Sequence, residues 1–170
     1  GVMKGDYRRN YGIGFYFSYH YKGKLTASLR SDFYKTDTKS SPYGDFSQWV
    51  AMNPYDSPYD EYGELIPRLS FDMANPMYNA TLNTKNRTTN FSVRNLFSVE
   101  YNPNDDIRLI GAFSLSKGNG KTDVFRPAQH TAFDGITDPT QRGDFKRTQR
   151  ESFSYSLDLT ASYNKLLREV

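Results

Sequence analysis

The chain has 170 residues, one ordinary domain by length, yet only 36% of them are hydrophobic and 16% are aromatic, nearly all Tyr (14) and Phe (12). Rings suit half-buried pleated surfaces, so disorder is a poor reading despite a mean hydropathy of -0.77. Twenty-two basic and 19 acidic residues are spread along the chain, which argues against a nucleic-acid partner, and the absence of cysteine excludes disulfide staples and thiolate chemistry.

In chain order, residues 1–10 carry no signal-peptide core, and no apolar run anywhere approaches the roughly 20 residues of a membrane helix. Alternation of period two then predicts five strands over residues 11–21, 25–34, 90–101, 107–116 and 153–163. Ile13, Phe15, Phe17, Tyr19 and Tyr21 oppose Gly12, Gly14, Tyr16, Ser18 and His20 in the first. Leu25, Ala27, Leu29 and Phe33 oppose Thr26, Ser28, Arg30 and Asp32 in the second. In the third, Asn95 and Leu96 are the misfits, each standing on the side where its neighbours have the opposite character. The fifth, FSYSLDLTASY, alternates without a fault, with Asp158 among small polar groups.

Short polar turns at 22–24 and 102–106 predict hairpins, whereas long loops at 38–88 and 117–150 join the other strands at the opposite end. The turns set the register. Tyr21 opposite Leu25 and Tyr101 opposite Ile107 bring apolar against apolar, Glu100 against Arg108, and Phe97 over Gly111. The polar series, rich in Ser, Thr, Gly and Ala, carries the charges Arg30, Asp32, Arg94, Glu100, Arg108 and Asp158.

The first loop is expected to open with a short helix, Ser41 as cap and Pro42 in its first turn, with Phe46, Trp49 and Val50 on one face until Asn53-Pro54 ends it. Trp49, Tyr55, Asp56, Tyr59 and Asp60 are the loop residues set to meet a ligand, since aromatics amid Asp and Asn grip sugars or peptides; packing within the loop is the alternative role for Trp49. Asp56, Asp60, Glu61 and Glu64 miss the calcium-loop pattern and read as a solvated acidic loop rather than a metal site. His20 and His130 lack metal-ligand spacing, and KGNGKT at 117–122 has Leu115 where a phosphate loop needs glycine, so it reads as a polar loop tip. No nucleophile elbow or carboxylate pair argues for an enzyme, and no cofactor is implied.

Two architectures fit alternating strands: a secreted soluble β-sandwich, such as a carbohydrate-binding module, or an all-β panel of antiparallel up-and-down strands in the wall of a large transmembrane barrel. Tyr19, Tyr21, Tyr101 and Tyr163 beside the short turns resemble an aromatic girdle, and strands of about 9 to 11 residues suffice to cross hydrocarbon. That favours the panel. Its short turns would then face the periplasm and its long loops the outside.

YGDFSQWVAMNPYDSPYDEYGELI, with NPMYNA at 75–80, FRPAQHTAFDG and RGDF at 142–145, resembles the SusC/RagA family of TonB-dependent outer-membrane transporters over residues 11–165. The resemblance implies a 22-stranded barrel in the bacterial outer membrane that imports glycans or peptides. Its implied partners are the TonB complex, a SusD-like surface lipoprotein, an oligosaccharide or peptide substrate, and outer-membrane lipid. On this reading residues 1–170 are one segment of the early to middle barrel, without plug or closing strand.

Overall fold

The computed structural model describes residues 3–165. The segment expected over 1–170 therefore extends at both ends beyond the described residues. Five strands, β1 Tyr7–Tyr21, β2 Leu25–Lys39, β3 Lys85–Tyr101, β4 Ile107–Arg126 and β5 Asp144–Tyr163, form one sheet in the order β1-β2-β3-β4-β5. The fold is all-β, antiparallel and up-and-down. No helix among the described residues is long and apolar enough to cross a membrane.

The register is constant along β1–β2, β2–β3 and β4–β5. Between β1 and β2, Lys24 N–H donates to Tyr21 C=O at 3.1 Å, and Thr36 Oγ1 donates to Asn10 Oδ1 at 3.0 Å. Positive φ at Lys22 (49°) and Gly23 (66°) is what a tight hairpin turn of this hand requires. Asn102 N–H to Lys24 C=O (2.7 Å), Ser28 Oγ with Ser98 Oγ (2.7 Å) and Ser40 N–H to Asn86 C=O (3.0 Å) fix β2 on β3. Ser114 Oγ with Ser156 Oγ (2.8 Å) and Asn164 N–H to Asp106 C=O (2.8 Å) fix β4 on β5. With side chains alternating faces, this register gathers the apolar residues of all five strands on one face and the small polar residues on the other.

All five strands outrun their expected bounds at the loop end. β4 and β5 continue to Arg126 and back to Asp144, so the second connection is residues 127–143 rather than 117–150, and KGNGKT lies inside β4 instead of at a loop tip. The cause is backbone pairing that persists where the alternation turns charged, as in the Arg126–Asp144 bridge at 2.8 Å. Gly111 is covered not by Phe97 but by Leu159 from β5, whose Cδ2 lies 3.4 Å from where a Cβ would stand.

The chain divides into two compact units. One comprises Tyr11–Lys35, Asn90–Asn119 and the chain from Arg150 onward, and holds the turn-side strand segments; the other comprises the loop-side strand segments with both long connections. In the latter, helix α1 spans Phe46–Ala51 and helix α2 spans Pro76–Thr81. α1 starts later than expected, because Asp45 and Gln48 form a reciprocal capping box there, while Ser41 Oγ instead donates to Lys4 C=O and accepts from Tyr43 N–H. Leu69 is the one buried hydrophobic side chain among the described residues.

Candidate functional site

The long loop is held by its own Asx residues. Asn75, fully buried, donates through Nδ2 to Pro58 C=O (3.0 Å) and Ile66 C=O (2.7 Å), while its Oδ1 accepts from Met77 N–H and caps α2. Three separate stretches of loop thus converge on one amide. The second connection docks on the first through Asn79, which donates to Thr131 Oγ1 (2.7 Å) and accepts from Thr131 N–H, and through Arg68, whose Nε donates to Asp134 (2.8 Å). The Asp134 hydrogen bond is the largest influence holding the Arg68 guanidinium above its ordinary value.

Within this frame the expected ligand residues divide. Trp49 is half-buried on α1 and donates its indole N–H to Tyr43 C=O at 2.8 Å, so its polar end is engaged inside the loop. Asp56 accepts from Ser70 N–H (3.2 Å) and Oγ (2.6 Å); Asp60 accepts from the N–H groups of Tyr62 (2.9 Å) and Glu64 (2.8 Å). Both carboxylates shape turns. Among the described residues no cluster of His, Cys, Asp or Glu is arranged to hold a metal. Tyr55 is 94% exposed and Tyr59, paired in a bridge with Leu65, is 43% exposed. Tyr62 and Phe71 are exposed beside them, Phe71 in the left-handed region at φ 57°. Tyr62 and Phe71 were not singled out by sequence, where nothing marks a loop aromatic as outward-facing.

On the polar face of the sheet, Arg108 grips Glu100 with Nε and Nη2, each at 2.9 Å, as the register expects. Arg30 bonds Asp32 along its own strand at 2.9 Å, and Asp32 lies over Gly14, where a Cβ would come within 2.7 Å of its Oδ1. Arg94 and Asp158 are exposed and make no ion pair among the described residues. Asp158 stands among Ser156, Thr160 and, across the register, Ala112.

A second charged constellation occupies the loop-side segments of β2, β3, β4 and β5. Arg87 binds both Asp37 oxygens, with Thr89 Oγ1 donating to Oδ1 at 3.3 Å. Asp123 accepts from Arg147 Nε at 2.7 Å and has Lys85 and Lys121 at 3.7 and 3.8 Å. Arg147 above all, then the lysines, hold the Asp123 carboxyl below the usual carboxylate range. The signal in sequence was β-branched density, RTTN at 87–90 and KTDVF at 121–125, which marks strand where hydrophobicity has stopped.

The apolar face itself is open. Ile13, Phe15, Phe17, Leu29, Phe97, Leu109, Phe113, Tyr155, Leu157 and Leu159 are all exposed, Leu159 by 76%. No family model matches this sequence, and no curated protein matches it.

Proposed function

We propose that this chain is a wall panel of a transmembrane β-barrel in the bacterial outer membrane, part of a TonB-dependent importer of glycans or peptides. The observation that carries the reading is the open apolar face between two aromatic edges. Along β1 it runs from Tyr21 at the turn to Tyr11, about ten residue steps or roughly 34 Å of strand. At a tilt near 45° that projects to about 24 Å, the height of the apolar band on outer-membrane barrels, about 25 Å. Tyr21, Tyr101 and Tyr163 edge it on the turn side, and Phe91 and Phe153 on the loop side.

Surface area supports the same reading. The chain exposes 13014 Å², where a soluble monomer of its 19.6 kDa exposes about 8,600 Å². A β-sandwich module would cover its apolar face with a second sheet, and the described residues supply only one. In a bilayer, lipid covers that face and neighbouring strands close the two edges.

The import role, the SusD-like lid and TonB coupling follow from the family resemblance, and the loop geometry suits them: a long connection braced by Asn75 and Arg68 presents Tyr55, Tyr62 and Phe71 outward. The test is uptake of fluorescent oligosaccharides and peptides by cells carrying the intact protein, with and without an uncoupler. Uncoupler-sensitive uptake is expected. Recovery of the protein in the detergent-free soluble fraction, with no uptake, would overturn the proposal.

A further inference from the structure

A cavity of about 410 Å³ lies where the two long connections fold against the loop-side ends of β3 and β4, and every residue that lines it belongs to the loop-side unit. That volume falls within the roughly 300–1,000 Å³ of sites that hold small ligands. Strand register sets its floor. Thr88 Oγ1 meets Thr122 Oγ1 at 3.0 Å, so Asn86 and Val124, each two residues nearer the loops, stand side by side on the same face. Gln48 of α1 and Pro76 of α2 line it from the first connection, and His130 lines it from the second.

Three charged residues border the cavity, and none brings it a free charge. Lys85 follows Thr84 onto the opposite face of β3, where its Nζ lies 3.7 Å from Asp123. Arg126 gives Nε and Nη2 to Asp144 at 3.1 and 2.8 Å, and the Asp45 carboxylate caps α1. The neutral polar groups, by contrast, keep unspent capacity. Gln48 folds its Oε1 back on Asp45 N–H (3.2 Å), in a position that a Cβ on Gly44 would block, and so retains Nε2 as a donor. His130 spends Nδ1 on Ala132 N–H, so its neutral ring carries the proton on Nε2 and donates there. The side-chain amide of Asn86 and the hydroxyl of Thr84 hold no bond among the described residues.

We propose that this cavity binds one sugar unit of an uncharged glycan. Each sugar hydroxyl both donates and accepts, which suits amide, imidazole and hydroxyl partners that carry no charge, while the C–H face of the ring can rest on Pro76 and Val124. A peptide is captured instead along a free strand edge or by charged groups at its ends. The cavity offers neither, because β3 and β4 each have a strand on both sides. The proposal rests on the import reading above, which leaves glycan and peptide open, and decides between them.

The test titrates the intact protein, held in a sugar-free polyoxyethylene detergent, by calorimetry. The probes are short cello-, malto-, xylo-, manno- and galacto-oligosaccharides, an oligogalacturonate and an oligoalanine. At least one neutral glycan should bind, with an affinity that salt leaves unchanged, and the oligogalacturonate and oligoalanine should not. Asn86→Ala removes an amide that holds nothing else and so keeps the fold; it should weaken that binding about five- to tenfold. Val124→Trp, which fills the floor, should abolish it. No binding by any neutral glycan, equal binding of the charged or the peptide probe, or either variant binding like the parent would overturn the site. Uptake by cells carrying the protein separates the two claims: glycan bound by protein from cells that take none up refutes import alone, whereas energised peptide uptake with no glycan bound refutes the site alone.

Discussion

Ser31 Oγ donates to Asn95 Oδ1 at 2.7 Å across β2 and β3, on the face that is otherwise apolar. This bond resolves the misfit of Asn95 in its strand: two polar groups out of place by pattern satisfy each other. In lipid neither has water as an alternative, so Ser31→Ala should cost about 1 kcal/mol of stability in vesicles, while Ser31→Ala with Asn95→Val should recover it. Urea unfolding in vesicles reads the cycle. On a water-facing sheet the single change would be neutral, because water replaces the lost partner.

The two-point Arg108–Glu100 bond on the other face makes a contrasting prediction. Either residue alone changed to the opposite charge should lower the unfolding midpoint by placing like charges across the register, and the double exchange Glu100→Arg with Arg108→Glu should restore it. A double exchange no better than the singles would mean that the pair does not set the register.

Asn75→Ala should loosen the long loop without unfolding the sheet. It takes the side-chain donor from the Pro58 and Ile66 carbonyls, of which Pro58 keeps the Ile66 N–H, and removes the cap of α2, for a loss of about 2 kcal/mol in local stability. Hydrogen exchange should accelerate across residues 56–82 and stay unchanged in β1, with proteolysis in the loop as a second readout.

His130 gives the loop a pH dependence. Its Nδ1 accepts from Ala132 N–H at 3.1 Å, and burial first, then the Arg126 charge, lowers its proton affinity below the ordinary histidine value. The folded state therefore favours the neutral ring. The stability so gained is complete above about pH 6.5 and is lost as pH falls towards and through the lowered value. Exchange in residues 130–134, corrected for intrinsic rate, should rise between pH 7 and pH 5, and His130→Asn, which keeps an acceptor, should abolish that rise.

What was legible in the sequence follows from how each feature is encoded. The strand faces and hairpin registers were readable because Phe, Tyr and Leu alternate with Ser, Thr and Gly, and because KGK and NPNDD permit few turn geometries. The loop-side strand extensions were not, since Arg87, Asp123 and Arg147 stand at outward positions where hydrophobicity was the signal being followed. Asn53, Asp56, Asp60 and Asn75 are visibly turn-forming residues, but their partners, up to 17 positions away for Asn75, depend on tertiary contacts that no local pattern records.

The central claim is that lipid covers the face bearing Leu157 while water covers the face bearing Ser156. Arginine at each position, in the intact protein refolded into phospholipid vesicles, tests it most directly through the change in unfolding free energy. Leu157 lies midway along the apolar band, so Leu157→Arg should cost about 2–4 kcal/mol and Ser156→Arg less than about 1 kcal/mol. Near-equal small costs at both positions, or a larger cost at Ser156, would contradict the account.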